Sequence, residues 1–152
     1  MFAFPVDSVT LKELEDSLPN GLHDAEVVRL SVDYIQRRLI LDLSIWVGDM
    51  DDPPERREAY KNGQLVLSGL TFLIMEPPDP RYPYRVSPKL TVDVIDASKS
   101  VDAELLNSLP TGAFCGSFWV NQWNGCMSFA ADDAAIVWMD DGAVTYRGDK
   151  QV

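Results

Sequence analysis

Two neighbouring runs with a period of two constrain the fold of this chain more than any other feature. In residues 38–47, one face carries only apolar side chains, namely Leu39, Leu41, Leu43, Ile45 and Val47. In residues 25–34, the same period gives one face composed of Glu26, Val28, Leu30, Val32 and Tyr34. Alternation of this kind is typical of half-buried strands, and the short sequence IQRR between the two runs predicts an antiparallel β-hairpin.

One helix is expected before this hairpin. Residues 9–18 carry leucines at helical spacing, and the helix can begin at Asp7 or Ser8, or one turn later at a capping box that starts at Thr10. The sequence Pro-Asn-Gly after the last leucine ends it. A second short helix or an irregular link is expected in residues 100–110.

Further strands are expected after the hairpin. Residues 63–75 have the composition of a strand, but their apolar positions change phase at positions 68–69, which predicts a bulge or a bend. Residues 88–96 alternate regularly. Two proline-rich segments, residues 48–58 and 76–84, are expected to be loops, because proline cannot donate to a central β-ladder.

The last third of the chain predicts two more hairpins. Asn-Gly at 124–125 is the strongest signal for a two-residue hairpin loop. With those residues as the loop, Trp123 faces Cys126, and Trp119 shares their face of the sheet. The opposite face is then lined by Phe118, Val120, Met127 and Phe129. Asp-Gly at 141–142 predicts a further hairpin that joins the sequences AIVWM and AVTYR.

These elements predict a single domain, residues 1–152, of the α+β class and mostly β. About seven or eight strands are expected to form a single twisted antiparallel sheet, or a partly closed barrel, with the N-terminal helix packed on it. A chain of 152 residues buries about 68–70% of its unfolded surface, so folding needs neither a metal nor a disulfide.

The chain is strongly acidic, with 24 Asp and Glu against 13 Lys and Arg and a net charge of -11. This balance opposes binding to nucleic acids and to anionic membranes, since both attract cationic groups. It favours encounter with a basic protein partner, although solubility alone also accounts for it. The first residues do not resemble a signal peptide, and no run approaches about 20 apolar residues, so we expect a cytoplasmic location with reduced cysteines.

The only histidine of the chain, His23, is followed by Asp24. One interpretation is a pocket in which the carboxylate orients a histidine base. The other is structural. Adjacent residues of a strand point to opposite faces, so that His23 packs at the helix-to-strand junction while Asp24 bonds to backbone donors. The sequence favours the structural interpretation.

No complete catalytic, metal or cofactor motif accompanies this pair. Cys115 and Cys126 lie in strand-like sequence among aromatic residues, where buried structural thiols are typical. The acidic sequence DMDD lacks the ligand and the glycine of a calcium-binding loop, because Pro53 and Pro54 occupy those positions. A zinc site built from histidines needs more of them, and no nucleotide-binding loop is present. We therefore expect no enzyme activity, no metal and no cofactor.

The order of a short helix, the sequence Leu-His-Asp-Ala at 22–25 and the hairpin sequence VVRLSVDYIQRRLILDL carries a resemblance. It is similar to that of a group of small, uncharacterised bacterial proteins with a His-Asp opening before a β-hairpin, some of which resemble immunity proteins of polymorphic toxin systems. The resemblance covers residues 10–47 and implies no catalytic residue.

Charge, predicted fold and resemblance together favour a non-enzymatic binding protein of the immunity type, which masks a basic protein partner such as a toxin. The expected contacts are acidic side chains and a pair of tryptophans, namely Asp49, Asp51, Asp52, Asp132, Asp133, Asp140, Asp141, Trp119 and Trp123. The tryptophans are either an exposed interface or part of the core. Two alternatives stay open: a small hydrolase-like enzyme that uses His23, and a self-associating structural domain. The chain can be a monomer or a dimer.

Overall fold

One antiparallel sheet makes up most of the fold, which a computed structural model describes for residues 9–81 and 89–148. The strands in this part of the chain are β1 Ala25–Asp33, β2 Arg38–Trp46, β3 Ala59–Ser68, β4 Phe72–Met75, β5 Leu90–Ile95, β6 Phe114–Val120, β7 Gly125–Ala131, β8 Asp133–Trp138 and β9 Val144–Tyr146. The helices are α1 Leu11–Asp16, α2 Pro54–Arg57 and α3 Ala103–Asn107, with short 3-10 turns at Ala97–Lys99 and Asp140–Gly142.

The strands are ordered β4-β7-β6-β5-β1-β2-β3-β8. β9 pairs with the same edge of β3 as β8 does, further along that strand. The sheet is antiparallel and does not close, so the single-sheet form of the predicted fold is confirmed. The core lies on one face, where leucines of β2 and β3 form one cluster with Phe118 and Phe129, and α1 adds Leu11 to it. No helix in the described part of the chain is long and apolar enough to cross a membrane.

The predicted hairpin of β1 and β2 is confirmed, but its first strand contains a bulge. Leu30 faces Leu41, as the alternation predicts. Val28 then interrupts the register, so that Ala25 is fully buried while Val28 is 76% exposed. The extra residue of a bulge inverts the alternation on its far side. The predicted placing of Glu26 on the same face as Leu30 is therefore wrong.

The register of the β6–β7 hairpin also differs from the prediction. Val120 pairs with Gly125, so that a turn formed by residues 121–124 replaces the predicted two-residue loop. A type I′ loop needs a positive φ at both central residues, and of the Asn124-Gly125 pair only Asn124 has one, at 49°. The register moved by an even number of residues, which keeps the predicted buried face of Phe118, Val120, Met127 and Phe129.

The hairpin predicted at residues 141–142 is wrong. β8 pairs with residues 63–68 of β3, and β9 pairs with residues 59–61 of the same strand, so β8 and β9 run in one direction. Asp140, Asp141 and Gly142 have φ values of 53°, 54° and 74°. The chain bulges at these three left-handed residues without reversing, and it then continues along the same edge of β3.

Local signals fixed the ends of several other elements. Thr10 begins α1, since its side-chain oxygen accepts the amide of Glu13 at 3.2 Å. The alternative starts at Asp7 and Ser8 lie outside the described residues, as do the last residues of the loop predicted at 76–84 and the first of the strand predicted at 88–96. The bend predicted at positions 68–69 is confirmed, because Gly69, with a φ of 65°, separates β3 from β4.

Candidate functional site

His23 lies in an exposed cluster with two carboxylates. Its Nδ1 is 2.6 Å from Asp93 Oδ1, and its Nε2 is 3.3 Å from Asp24 Oδ2. The sequence favoured a His23 that packs at the helix-to-strand junction. Its side chain is instead 60% exposed. Asp93 lies on β5, 70 residues further along the chain, and no local signal in the sequence pointed to it.

Backbone geometry brings Asp24 to the histidine. β1 begins only at Ala25, so His23 and Asp24 lie in the preceding turn, where the alternation of a strand does not apply. Asp24 has a φ of 53°, and its amide donates to Asp93 Oδ1 at 3.1 Å. Aspartate is among the residues that enter this left-handed region most readily. One residue thus anchors Asp93 through its backbone and faces the imidazole with its side chain.

Hydrogen bonds shift the pKa values of Asp93 and His23 in opposite directions. Asn121 Nδ2 donates to Asp93 Oδ2 at 3.0 Å, while Oδ1 accepts from His23 and Asp24. Burial alone would raise the pKa of Asp93, but these hydrogen bonds, that of Asn121 foremost, outweigh burial and hold the pKa below its usual value. The hydrogen bond to Asp93 raises the pKa of His23, burial opposes this, and the negative charge of Asp24 adds to it.

The arrangement suits a positive species held at the imidazole. When His23 is protonated, Nδ1 donates to Asp93 and the charged ring forms an ion pair with Asp24 through Nε2. A general base needs a ring nitrogen free to accept a proton, so Asp24 would have to move before His23 could act as one. Ligand atoms of His23, Asp24 and Asp93 also lie within 4.8 Å of one another, and imidazole nitrogen and carboxylate oxygen are ligands of divalent zinc.

An acidic loop, residues 48–58, lies beside this cluster and includes the single helical turn of α2, which the sequence did not predict. The ring of Trp46, at the end of β2, meets His23 edge-on with the ring centroids 6.5 Å apart. Trp46 Nε1 donates to the carbonyl oxygen of Arg57 at 2.6 Å and closes the loop. Gly48 leaves no room for a side chain, because a Cβ atom there would lie 1.9 Å from the same carbonyl oxygen. The loop is therefore fixed at both ends.

The loop has a negative net charge, since it carries five carboxylates against the two guanidinium groups of Arg56 and Arg57. Asp49 Oδ1 accepts the amide of Asp51 at 2.8 Å, and Arg57 Nε donates to the carbonyl oxygen of Asp52 at 2.8 Å. Asp49 and Asp51 are exposed, and Asp52 is half-buried. Within residues 9–81 and 89–148, none of these three carboxylates forms an ion pair.

The other acids expected at a partner surface are divided between the two ends of β3. Asp140 and Asp141 are exposed and follow β8 at the end of β3 where the acidic loop lies. Asp132 precedes β8 and Asp133 is its first residue, at the opposite end of β3 and about 17 Å away along the strand. Asp133 also has a structural partner, since its Oδ1 accepts the amide of Val9 at 2.7 Å. The structure does not bring all four residues together.

The two tryptophans expected on one face lie apart. Trp119 pairs with Cys126, which corrects the predicted pairing of Trp123 with that residue. Trp123 lies in the 121–124 turn and lines an apolar cavity of about 200 Å³ with Val120 and Met127, which belong to the other face of the hairpin. Both tryptophans are half-buried, so they form no joint exposed surface.

A second polar site, on the outer face of the sheet, was not found from the sequence. The side chain of Glu26 is only 12% exposed, forms an ion pair with Arg147 and lies 3.8 Å from Lys89 Nζ. Arg147 also donates to Ser44 Oγ at 2.9 Å and stacks 4.0 Å above the ring of Tyr60. Glu26, Ser44, Lys89 and Arg147 line a groove of about 430 Å³. The available signal was a carboxylate, Glu26, on the predicted face of β1 whose other members are Val28, Leu30, Val32 and Tyr34.

Neither cysteine is prepared for nucleophilic chemistry. Cys115 and Cys126 are free thiols on neighbouring strands and are not opposite each other, as predicted. Burial raises the pKa of Cys115. Burial, followed by the hydrogen bond and the charge of Glu76, raises the pKa of Cys126 to about 11. Since the thiolate is the nucleophile, both thiols are held in the unreactive form near neutral pH.

Comparisons with known proteins found no matching family model, no significantly similar curated protein and no significantly similar solved structure. The fold and the site together define an acidic, mostly β protein that presents a fixed anionic loop beside an exposed histidine cluster. Its function has to be argued from these surfaces.

Proposed function

We propose that this protein is a non-enzymatic binding protein of the immunity type, which masks a basic protein partner such as a toxin in the cytoplasm. The binding surface in this proposal is the acidic end of the sheet, defined by the exposed side chains of Asp49, Asp51, Asp140 and Asp141. The observation that carries the proposal is the acidic loop, which combines a fixed conformation with carboxylates that form no ion pair among the described residues.

The fixed conformation supports a binding role for a physical reason. Ordering a loop on association costs free energy, and a loop that is already ordered avoids that cost. Two contacts at the Arg57 carbonyl oxygen hold the loop together, namely the hydrogen bond from the Trp46 indole and the close packing of Gly48. Asn20, which precedes β1, also donates through Nδ2 to the Gly48 carbonyl oxygen at 2.7 Å. The carboxylates of Asp49 and Asp51 are thus presented without being used to stabilise the loop through ion pairs.

The charge supports a basic partner in particular. With a net charge of -11, the whole chain repels anions and attracts cationic proteins. Complementary charge mainly raises the rate of association, and the effect weakens as salt is added. A basic toxin would therefore associate quickly. Its rate of dissociation would depend on the apolar contacts around the acidic end.

The proposal is tested by capturing partners from the native host with the full chain at low and at high salt, followed by association kinetics with the purified partner. Replacing Asp49 and Asp51 by asparagine keeps the hydrogen-bond acceptor of Asp49 and removes two charges. We expect association to slow by about 3- to 10-fold at low salt, with little change in dissociation.

The matched control is the double variant Asp132→Asn with Glu104→Gln, which removes two charges from exposed positions away from the acidic end. Association should slow much less in this variant. Equal slowing in both variants would mean that net charge, and not the acidic end, guides the encounter. A captured partner that is acidic would contradict the proposal itself.

One observation favours the alternative of a hydrolase-like enzyme that uses His23, namely the 2.6 Å contact between its imidazole and Asp93 in an exposed site. The second carboxylate on Nε2 weakens this alternative, because it occupies the nitrogen that a substrate would need. The self-association alternative relied on a joint surface of Trp119 and Trp123, and their separation removes its main support.

A further inference from the structure

The His23 cluster has a geometry that goes beyond a pair of ionic contacts. The hydrogen bond of 2.6 Å from Nδ1 to Asp93 fixes the orientation of the imidazole ring. With a proton on Nδ1, the neutral ring has its free lone pair on Nε2. That nitrogen faces Asp24 Oδ2 at 3.3 Å. In the neutral ring this contact joins two acceptors, and a bound cation would satisfy both of them at once.

The spacing between these two atoms fits a metal ion. Two ligands that bind one ion at tetrahedral angles with bonds of about 2.05 Å lie about 3.3 Å apart. A histidine that binds a metal also commonly donates its other ring N–H to a carboxylate, which holds the ring in place. Asp93 stands in that position, and it is held in turn by Asn121 Nδ2 at 3.0 Å.

The charge balance points the same way. Asp24 and Asp93 bring two carboxylates to one imidazole, and no lysine or arginine among the described residues forms an ion pair with either of them. With a neutral ring, the cluster carries two negative charges. A nitrogen ligand beside carboxylate oxygen selects borderline divalent ions such as zinc over magnesium or calcium, which prefer oxygen alone.

We propose that His23 Nε2 and Asp24 Oδ2 bind a divalent transition-metal ion of the zinc class, with Asp93 as the positioning residue on Nδ1 and water in the remaining coordination positions. The site is open to solvent, since the side chains of His23 and Asp24 are 60% and 54% exposed. This inference does not depend on the proposed function, because it concerns the histidine cluster and not the carboxylates of the acidic loop.

The experiment is a titration of the full chain with Zn²⁺ at about pH 7.5, where the metal competes with the proton for Nε2, followed by NMR of the imidazole nitrogens. The chain has 1 histidine, so every imidazole signal belongs to His23. We expect saturable binding in which the Nε2 resonance moves while Nδ1 keeps its proton. No change at millimolar Zn²⁺, or coordination through Nδ1, would overturn the proposal.

Variants separate this site from a lone surface histidine. His23→Ala should abolish binding, Asp24→Asn should weaken it by about 10-fold or more, and Asp93→Asn should weaken it by about 10- to 100-fold. If Asp93→Asn fails to fold, Asn121→Ala serves instead, since it leaves the three groups in place and releases Asp93 Oδ2. Asp96→Asn, on the exposed turn after β5, is the matched control and should bind as the wild type does. Unchanged affinity in both Asp24→Asn and Asp93→Asn would overturn the proposal.

Discussion

Two seams of the sheet differ greatly in length. β2 and β3 pair over nine consecutive residues, from Arg38 with Ser68 to Trp46 with Tyr60. Within the described residues, β1 and β5 pair over three, which include Ala25 with Val92. In the strand order, however, the short β1–β5 seam is the place where β4, β7, β6 and β5 join β1, β2 and β3. One half of the sheet is therefore a continuous ladder, and its connection to the other half is narrow.

Side chains reinforce the short seam. Asp93 on β5 bonds to the imidazole of His23 and to the amide of Asp24, just before β1. Lys89, just before β5, lies 3.8 Å from the carboxylate of Glu26 on β1. The histidine cluster and the buried Glu26 thus both lie at this short described ladder. Two parts of this sheet are therefore joined by polar side chains as well as by the backbone ladder.

The largest expected effect comes from breaking the long seam. Leu65 on β3 is fully buried opposite Leu41. Leu65→Ala should lower the free energy of unfolding by about 2–5 kcal/mol, because it removes apolar contacts and leaves a cavity. The same change at Leu90, which is half-buried on β5 in the short seam, should cost about 1–2 kcal/mol. Urea denaturation measures both, and equal costs would mean that the two seams contribute alike.

A smaller effect is expected from the polar support of the short seam. Glu26→Gln keeps the shape of the side chain but leaves the guanidinium of Arg147 without its carboxylate. We expect a loss of about 1–2 kcal/mol in the free energy of unfolding, since Glu26 is largely buried. Hydrogen exchange of the β5 amides should accelerate more than that of the β3 amides.

The matched control for this change is Arg29→Gln on the same strand. Arg29 pairs with Asp42 at 3.0 Å, but its side chain is 72% exposed. Removing an exposed ion pair should cost about 0.5 kcal/mol or less. A cost in Glu26→Gln no larger than in Arg29→Gln would show that burial of Glu26 does not strengthen the seam.

Features written into a few consecutive residues could be predicted from the sequence. The alternation around Leu41, the break at Gly69 and the helix start at Thr10 are all local signals, and all three are confirmed. The bulge at Val28 could not be predicted in the same way. Valine is typical of buried strand positions, so the sequence alone places Val28 in the core. Only the register with β2 shows that Val28 has no pairing partner there.

The candidate site depended on long-range pairing that the sequence does not display. Asp93 comes within 2.6 Å of His23 only because β5 pairs with β1 across 70 residues. The acidic loop could be predicted as an exposed segment, since two prolines exclude a strand there. Its separation from Asp132 and Asp133 could not, because it follows from the direction in which β8 runs along β3.

Ionisation of Tyr60 tests the long seam at high pH. Burial, followed by the charge and the hydrogen bond of Glu58, raises the pKa of Tyr60 to about 12. The folded state therefore favours the neutral phenol. This contribution to stability is fully present below about pH 10, the ordinary tyrosine pKa, and is lost as the pH rises toward about 12.

Tyr60→Phe isolates the effect, since it keeps the ring beneath Arg147 and removes only the hydroxyl. The stability of the wild type should fall more steeply than that of Tyr60→Phe between about pH 10 and pH 12. Urea denaturation across this range compares them, and the difference between the two proteins cancels the other groups that titrate there. Parallel pH profiles would mean that the phenol is not protected in the folded state.

The smallest effect concerns the other half of the sheet and is one of reactivity. Cys126 on β7 donates its thiol hydrogen to Glu76, whose charge helps to raise the pKa of the thiol to about 11. Glu76→Gln removes that charge, so the pKa of Cys126 should fall and its alkylation by iodoacetamide at about pH 8 should accelerate. Cys115, whose pKa is raised by burial, is the internal control and should react as before. Mass spectrometry of the two peptides resolves the rates. An unchanged rate at Cys126 would mean that the carboxylate of Glu76 does not protect the thiol. Packing in this half of the sheet would then be what restricts access of the reagent to Cys126.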